Sequence, residues 1–369
     1  MQEAIQLLFT PTGLFLILLG TSLGVFVGAI PGLTGTMLIA LVLPLTYGVN
    51  PQYALTLLIS IYVGAISGGM VTATLLRMPG TPASIVTTFD GYPMAQKGQS
   101  ERALGLAVMA SFVGGVISWG FLVLLAKPIA TISTKFGPFE YFTLVLMALV
   151  LIASIGGKSL SKSLLSGFLG MLLSMPGIAV ATGQSRLTFG INALNDGFKL
   201  LPVLIGLFAI NQIFRDIINL KKKSQSKEIE TKGLSLKLAD FRGQVLNMIR
   251  SSVIGTWIGL LPGIGANIGS VAAYTVAKNS SKTPEKFGTG HDEGIVSAEA
   301  ANNATIGGAL IPLVAMGLPG SVVEAVLLGA LVVHGLQPGP RLFGEHPEMV
   351  YTIMGAMFLA NIAMAMIMG

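Results

Sequence analysis

The sequence predicts an all-α polytopic membrane protein made of inverted structural repeats, with discontinuous or re-entrant helices broken at Pro-Gly motifs. Three observations predict it. Hydrophobic residues make up 52% of the chain and charged residues only 10%, and many apolar stretches approach the roughly 20 residues needed to cross a hydrocarbon core. A Pro-Gly break splits two of them, at Gly28-Ala29-Ile30-Pro31-Gly32-Leu33-Thr34-Gly35 and at Gly259-Leu260-Leu261-Pro262-Gly263-Ile264-Gly265-Ala266-Asn267. Each break is followed by the same landmarks, Gly68-Gly69 then Pro79-Gly80 in one half and Gly307-Gly308 then Pro319-Gly320 in the other. Paired broken segments at matching positions point to a secondary transporter, because a broken helix exposes backbone groups that can hold a solute at mid-membrane.

In chain order, spans are expected near 14–30, 53–76, 103–126, 138–156, 163–182, 200–218, 293–317 and 347–369. A β-barrel would instead show short alternating segments. The 47 glycines and 18 prolines are many for soluble helices, but within lipid they allow close packing and localised breaks. Gly20, Gly24, Gly28 and Gly32 recur at every fourth residue, which predicts a packing seam on one helix face.

The absence of cysteine removes disulfides, thiolate metal sites and cysteine catalysis. The three histidines, His291, His334 and His346, lack metal-ligand spacing. No basic stretch precedes the first apolar run and the amino terminus carries Glu3, so no cleaved signal peptide is expected. The net charge of +6 reflects loop placement and predicts no nucleic-acid partner.

The basic residues set the topology, because lysine and arginine accumulate on the cytoplasmic side. The loop 215–250 carries nine of them, from Arg215 to Arg250. A second basic loop, 278–292, lies one broken segment later. If both are cytoplasmic, residues 251–277 enter and return, since an arm of 266–277 rises only about 18 Å as a helix. The first break has no basic residue on either side and should enter from outside. The expected organisation is a first transmembrane repeat over 1–218, a basic cytoplasmic linker over 219–244, and a second repeat over 245–369 that reads as truncated.

At these motifs the chain resembles the large membrane subunit of the tripartite tricarboxylate transporters. The resemblance is carried by residues 28–34, by Pro79-Gly80-Thr81-Pro82-Ala83-Ser84, by Asp90-Gly91-Tyr92-Pro93-Met94-Ala95 with Gly98, Ala103 and Leu104, by residues 261–265, and by Asn302-Asn303. It implies uptake of small carboxylates, citrate among them, across a bacterial inner membrane, by symport with sodium or protons. It also implies two partners, a periplasmic solute-binding protein and a small membrane subunit. Members are usually longer at the carboxyl end, in line with the truncation.

A carboxylate crossing lipid must be compensated for lost hydration, and lysine and arginine stay away from the apolar centres here. Helix amino termini supply that compensation without formal charge. The candidate substrate residues are therefore Pro31, Gly32, Thr34 and Gly35 in the first break, and Gly263, Gly265 and Asn267 in the second. Gly80, Thr81, Ala83, Ser84 and Gly320 join them at the later Pro-Gly pairs. Thr81 before Pro82 reads as an N-cap with proline at the first helical position. The plainer alternative is that all of these are caps and kinks.

Glu299, Asn302 and Asn303 share a helix face by their spacing, and with Thr305 they offer oxygens for a sodium ion or a proton relay. An intramembrane carboxylate is a functional candidate by default, although Glu299 sits near the polar loop ending at Glu293 and could reach water. A repeat offset of 239 residues puts Ser60 opposite it. Glu324, three residues after Ser321, reads as the far end of a capping box. Arg77 reads as an interfacial anchor or a substrate contact. No nucleophile with its base and no phosphate-binding loop is present, so the expectation is a carrier, not an enzyme, with no cofactor beyond the coupling ion. A passive organic-anion channel is the alternative.

Overall fold

The structure, a computed structural model, describes residues 2–140, 142–144, 146–147, 160–178, 184–195, 197–198, 202–203, 205–219, 238–262 and 265–369. It is an all-α polytopic membrane protein. Four of the described helices are long and apolar enough to cross a membrane, Pro11–Gly28, Pro51–Leu76, Ser100–Ser133 and Pro347–Met368. Large apolar side chains such as Phe15, Phe26 and Leu124 are exposed on them, as contact with lipid requires.

The first half opens with α1 (Gln2–Leu8) and α2 (Pro11–Gly28), the latter started by Thr10, whose hydroxyl accepts from the Gly13 N–H. After the first break come α3 (Gly35–Val42), a 3-10 turn at Leu43–Thr46, and the long α4 (Pro51–Leu76). A second break leads to a 3-10 turn at Pro82–Ile85, then α5 (Thr87–Gln96) and α6 (Ser100–Ser133). Between the halves lie α7 (Leu160–Leu173), a short antiparallel strand pair joining Gly177–Ile178 to Ser185–Arg186, and α8 (Asn211–Asn219). The second half repeats the order: α9 (Leu238–Leu260), break, α10 (Gly265–Ser280), α11 (Asp292–Met316), break, α12 (Val322–Val333). A short α13 (Pro340–Glu345) and α14 (Pro347–Met368) follow.

The glycine seam is real and occurs twice. A Cβ on Gly24 would stand 2.4 Å from the Ile61 carbonyl oxygen, and one on Gly28 would stand 2.2 Å from that of Ala65. Reciprocally, Gly64 and Gly68 each lie so close to the α2 carbonyls of Thr21 and Val25 that a Cβ would come to 2.3 Å. Between α9 and α11, Gly255 meets Ala301 and Gly308 meets Thr256 in the same way, at 2.3 and 2.2 Å. Partners rise together along both members of each pair, so α2 runs parallel to α4, and α9 to α11. Gly32 is the correction: it lies beyond the end of α2 with φ of 98°, because the chain has already turned. Introducing a methyl at Gly64 or Gly308 forces two backbones apart, and overpacking of this kind costs about 1–3 kcal/mol. Gly64→Ala and Gly308→Ala should each lower the melting midpoint of the purified protein. Gly120→Ala, with nothing within 4 Å of the added carbon, should not.

Three further expectations change. The stretch 163–182 is not one span, since α7 stops at Leu173 and strand residues follow at Gly177–Ile178. Most of the stretch 138–156 and most of the basic linker lie outside the described residues, and α9 already begins at Leu238, within the expected linker. Arg77 ends α4 in the left-handed conformation with φ of 57°, the place that Gly317 takes at the end of α11 with φ of 70°. Its guanidinium sits 5.7 Å from the centroid of the Tyr92 ring, a cation–π contact that holds the side chain on α5.

Candidate substrate and ion site

The breaks within each half meet one another. A Cβ on Gly80 would fall 2.0 Å from the Gly28 carbonyl oxygen, so the second break of the first half lies directly on the end of α2. Gly320 lies beside Ala309 and the Gly259 carbonyl, and Gly265 beside Ser321. The halves also exchange partners, since α10 packs on the Pro82–Ile85 turn of the first half while α12 packs on α3. Broken backbone from both halves is thereby gathered around the long helices α4 and α11.

Individual residues take different parts in this arrangement. Pro31 and Gly32 are exposed at the first tip, and Gly35 is buried against Ala65. The Thr34 hydroxyl accepts from the Met37 N–H at 3.1 Å, capping α3. Thr81 holds the N-cap position before Pro82, but its hydroxyl makes no cap bond. It pairs instead with the Ser84 hydroxyl at 2.8 Å, because the short 3-10 turn carries that serine back over it. Ala83 and Ser84 are buried, Asn267 is exposed, and Gly263 lies outside the described residues. Close by, the hydroxyl oxygens of Thr72 and Thr74 are buried without a hydrogen-bond partner. Buried polar atoms are nearly always paired, so unpaired ones beside a broken helix mark a place able to bind a polar group.

Glu299 lies at the junction of the halves and is fully buried. The Thr87 hydroxyl, from α5, donates to its Oε1. Ser111 of α6 and the Asn302 side-chain amide both approach Oε2 at 3.4 Å. Asn303 donates to the Ser111 hydroxyl at 2.7 Å and accepts from the Ser67 hydroxyl of α4 at 2.6 Å. One polar chain therefore crosses from α4 through α11 to α6 and α5. The Asn302 Oδ1 atom is buried and unpartnered. Thr305 stands apart, its hydroxyl donating to the Asn302 carbonyl at 2.6 Å and its methyl facing Gly269.

Helical spacing brought Glu299, Asn302 and Asn303 together but gave no hint of Ser67, Thr87 or Ser111, since single hydroxyls in apolar helices are common. Two more buried carboxylates sit between the halves. Asp90 Oδ1 accepts from the backbone N–H groups of Gly288, Gly290 and His291 at 2.8–2.9 Å, and its Oδ2 accepts from the Tyr274 hydroxyl at 2.8 Å. Glu324 receives the expected Ser321 hydroxyl and, unforeseen, the hydroxyl of Tyr62 from α4.

A profile of the tripartite tricarboxylate transporter TctA family matches residues 14–368, nearly the whole of this helical framework. The chain belongs to that family. TctA proteins are the membrane component of a tripartite transporter, so the gathered breaks and the buried polar chain belong to a transport protein. Among similar proteins, an "Uncharacterized 52.8 kDa protein in TAR-I ttuC' 3'region" of Agrobacterium vitis is 37% identical over 361 residues, covering 97% of this chain and 71% of that one. An "Uncharacterized protein in TAR-II ttuC' 3'region" of the same organism is 37% identical over 113 residues, 31% of this chain and 47% of that one. No solved structure matches this TctA chain.

Proposed function

We propose that this TctA chain carries small di- or tricarboxylates inward through a bacterial inner membrane, coupled to the entry of sodium ions or protons. In this reading a periplasmic binding protein delivers the substrate, a small membrane subunit completes the complex, and the loop 219–244 faces the cytoplasm. The substrate rests against the broken helix ends around Gly80, Thr81, Ser84, Gly265 and Gly320. Glu299 with Asn302 and Asn303 takes the coupling ion.

The observation that carries this reading is a fully buried Glu299 whose described hydrogen-bond partners are hydroxyl and amide groups and include no cation. A charge so placed in a membrane interior is neutralised by a bound proton or metal ion. Its partners come from α5, α6 and α11, so any motion of one half against the other changes its surroundings. The crossed contacts also favour an inverted repeat. Tyr62 bonds Glu324 beyond the end of α11, Ser67 bonds Asn303 at mid-helix, and Thr87 beyond the end of α4 bonds Glu299. Contact order therefore runs oppositely along α4 and α11.

Uptake of labelled citrate, tartrate and malate by proteoliposomes holding the full-length subunit and its small partner, with and without the binding protein, tests the proposal. Accumulation that needs all three components and collapses without a sodium or proton gradient is the expected result. Downhill flux through the large subunit alone, indifferent to either gradient, would make it a passive anion channel and remove the ion role of Glu299.

A further inference from the structure

Glu324 is the buried carboxylate that the ion site leaves unused. It lies in the first turn of α12, fully buried, with the Tyr62 hydroxyl on Oε1 and the Ser321 hydroxyl on Oε2. A capping box accounts for the serine, which also accepts from the Val323 N–H at 3.2 Å. It does not account for Tyr62, which arrives from the opposite half.

Among the described residues, no positive charge is placed to meet it. The elements packed on α12 are α3, α4 and α11, and none of these four helices carries a lysine, arginine or histidine. Their titratable groups are Tyr53 and Tyr62 on α4, and Asp292, Glu293 and Glu299 on α11; α3 has none. Tyr53 pairs with the Thr10 hydroxyl, Asp292 with Arg102, and Glu299 with its own network. His334, just past the far end of α12, pairs with Thr46. Tyr62 is thus the titratable partner that Glu324 meets. An isolated carboxylate in a membrane interior must be neutralised. The two hydroxyls and the backbone N–H groups of Ser321 and Glu324 that surround it offer a metal ion few oxygens, whereas a proton removes the charge with no further ligand.

The position repeats that of Glu299 in reverse. Each carboxylate belongs to, or follows, α11, and each is bonded by a hydroxyl from the first half, Thr87 or Tyr62, with the Ser67–Asn303 bond between them. We infer that Glu324 is a second exchangeable-proton site, shared with the Tyr62 hydroxyl and opened when the two halves separate. The proton leaves the carboxyl oxygen for water as Tyr62 withdraws, and returns to it from water on the other side; no electrons move. This rests on the reading that buried carboxylates at the junction carry coupling ions.

The test is infrared difference spectroscopy of the full-length subunit with its small partner in lipid nanodiscs, titrated with pH in light and heavy water. The wild type should show two titrating carboxylic-acid carbonyl components, one lost in Glu324→Gln and the other in Glu299→Gln. Tyr62→Phe should shift the frequency and midpoint of the Glu324 component alone, and it keeps the test open should Glu324→Gln fail to fold. A carboxylic-acid absorption unchanged by Glu324→Gln, or untouched by Tyr62→Phe, overturns the inference. Loss of a component in Glu324→Gln with none in Glu299→Gln would sustain it and make Glu299 a site for sodium and not for a proton.

Discussion

Replacing Asp90 with alanine is expected to be the most destabilising single change among the charged residues described. One Asp90 oxygen collects three backbone N–H groups, from Gly288, Gly290 and His291, and the other takes the Tyr274 hydroxyl. Hydrogen bonds to a charged acceptor contribute about 1.5–3 kcal/mol each. Water can reach part of the 281–291 loop and repair some of the loss, which leaves about 3–5 kcal/mol. The edge-to-face contacts of Tyr274 with Phe89 and Phe287 would loosen with it. The neighbouring Arg102–Asp292 pair at 2.6 Å is about a third exposed and adds little. Thermal unfolding of the purified protein and limited proteolysis within 281–291 measure the effect. Asp90→Asn keeps one oxygen to accept the three N–H groups and should fall between alanine and wild type. An alanine variant that melts with the wild type and resists proteolysis there would show that the carboxylate does not hold the halves together.

Glu299→Gln should leave the fold in place and uncouple transport. Glutamine matches the carboxylate in shape, its one carbonyl oxygen can still accept from Thr87, and its amide N–H can turn to the Ser111 hydroxyl oxygen, so the bonds from Ser67 through Asn303 to Ser111 survive. It cannot bind a proton or add negative charge for sodium. One charge moved through 100 mV is worth about 2.3 kcal/mol, and about 1.4 kcal/mol is a factor of ten. Removing one coupled cation therefore lowers steady-state accumulation about 50-fold at that potential. Substrate exchange between equal pools draws on no gradient and should persist. Parallel measurements of gradient-driven uptake and of exchange in proteoliposomes separate the two, and undiminished accumulation would remove Glu299 from the coupling path. Thr305→Val is the companion: its hydroxyl is already spent on the Asn302 carbonyl, so accumulation should stay within about twofold of wild type.

The legible parts of this protein are those that one segment encodes in itself. Apolar length gave the membrane class, and four-residue glycine spacing gave the seam that α2 turns toward α4. Glu299, Asn302 and Asn303 could be placed on one face because helical geometry leaves no choice once a helix forms. The same local logic misplaced Gly32, since periodicity continues in a string of letters after the helix has ended. It also made Thr81 a hydroxyl cap, because the rule for proline at the first helical position describes an α-helix, whereas the chain here forms a short 3-10 turn whose Ser84 hydroxyl takes the threonine instead.

What the tertiary structure alone decided is which distant group each polar side chain meets. Asp90 lies in a recognisable run, yet its role depends on a loop some 200 residues later being folded back over it. Tyr62 and Glu324 are 262 residues apart, and Ser67 and Asn303 are 236. Such pairs come from the crossing of α4 and α11 and from the exchange of α3 and α10 between halves. The glycine seams of α2 with α4 and of α9 with α11, where an added Cβ would stand 2.2–2.4 Å from a facing carbonyl oxygen, fix the register inside each half, and no single segment specifies them. Sequence periodicity fixes the direction in which a side chain leaves its own helix; the partner waiting there is fixed by packing, which is a property of the whole chain.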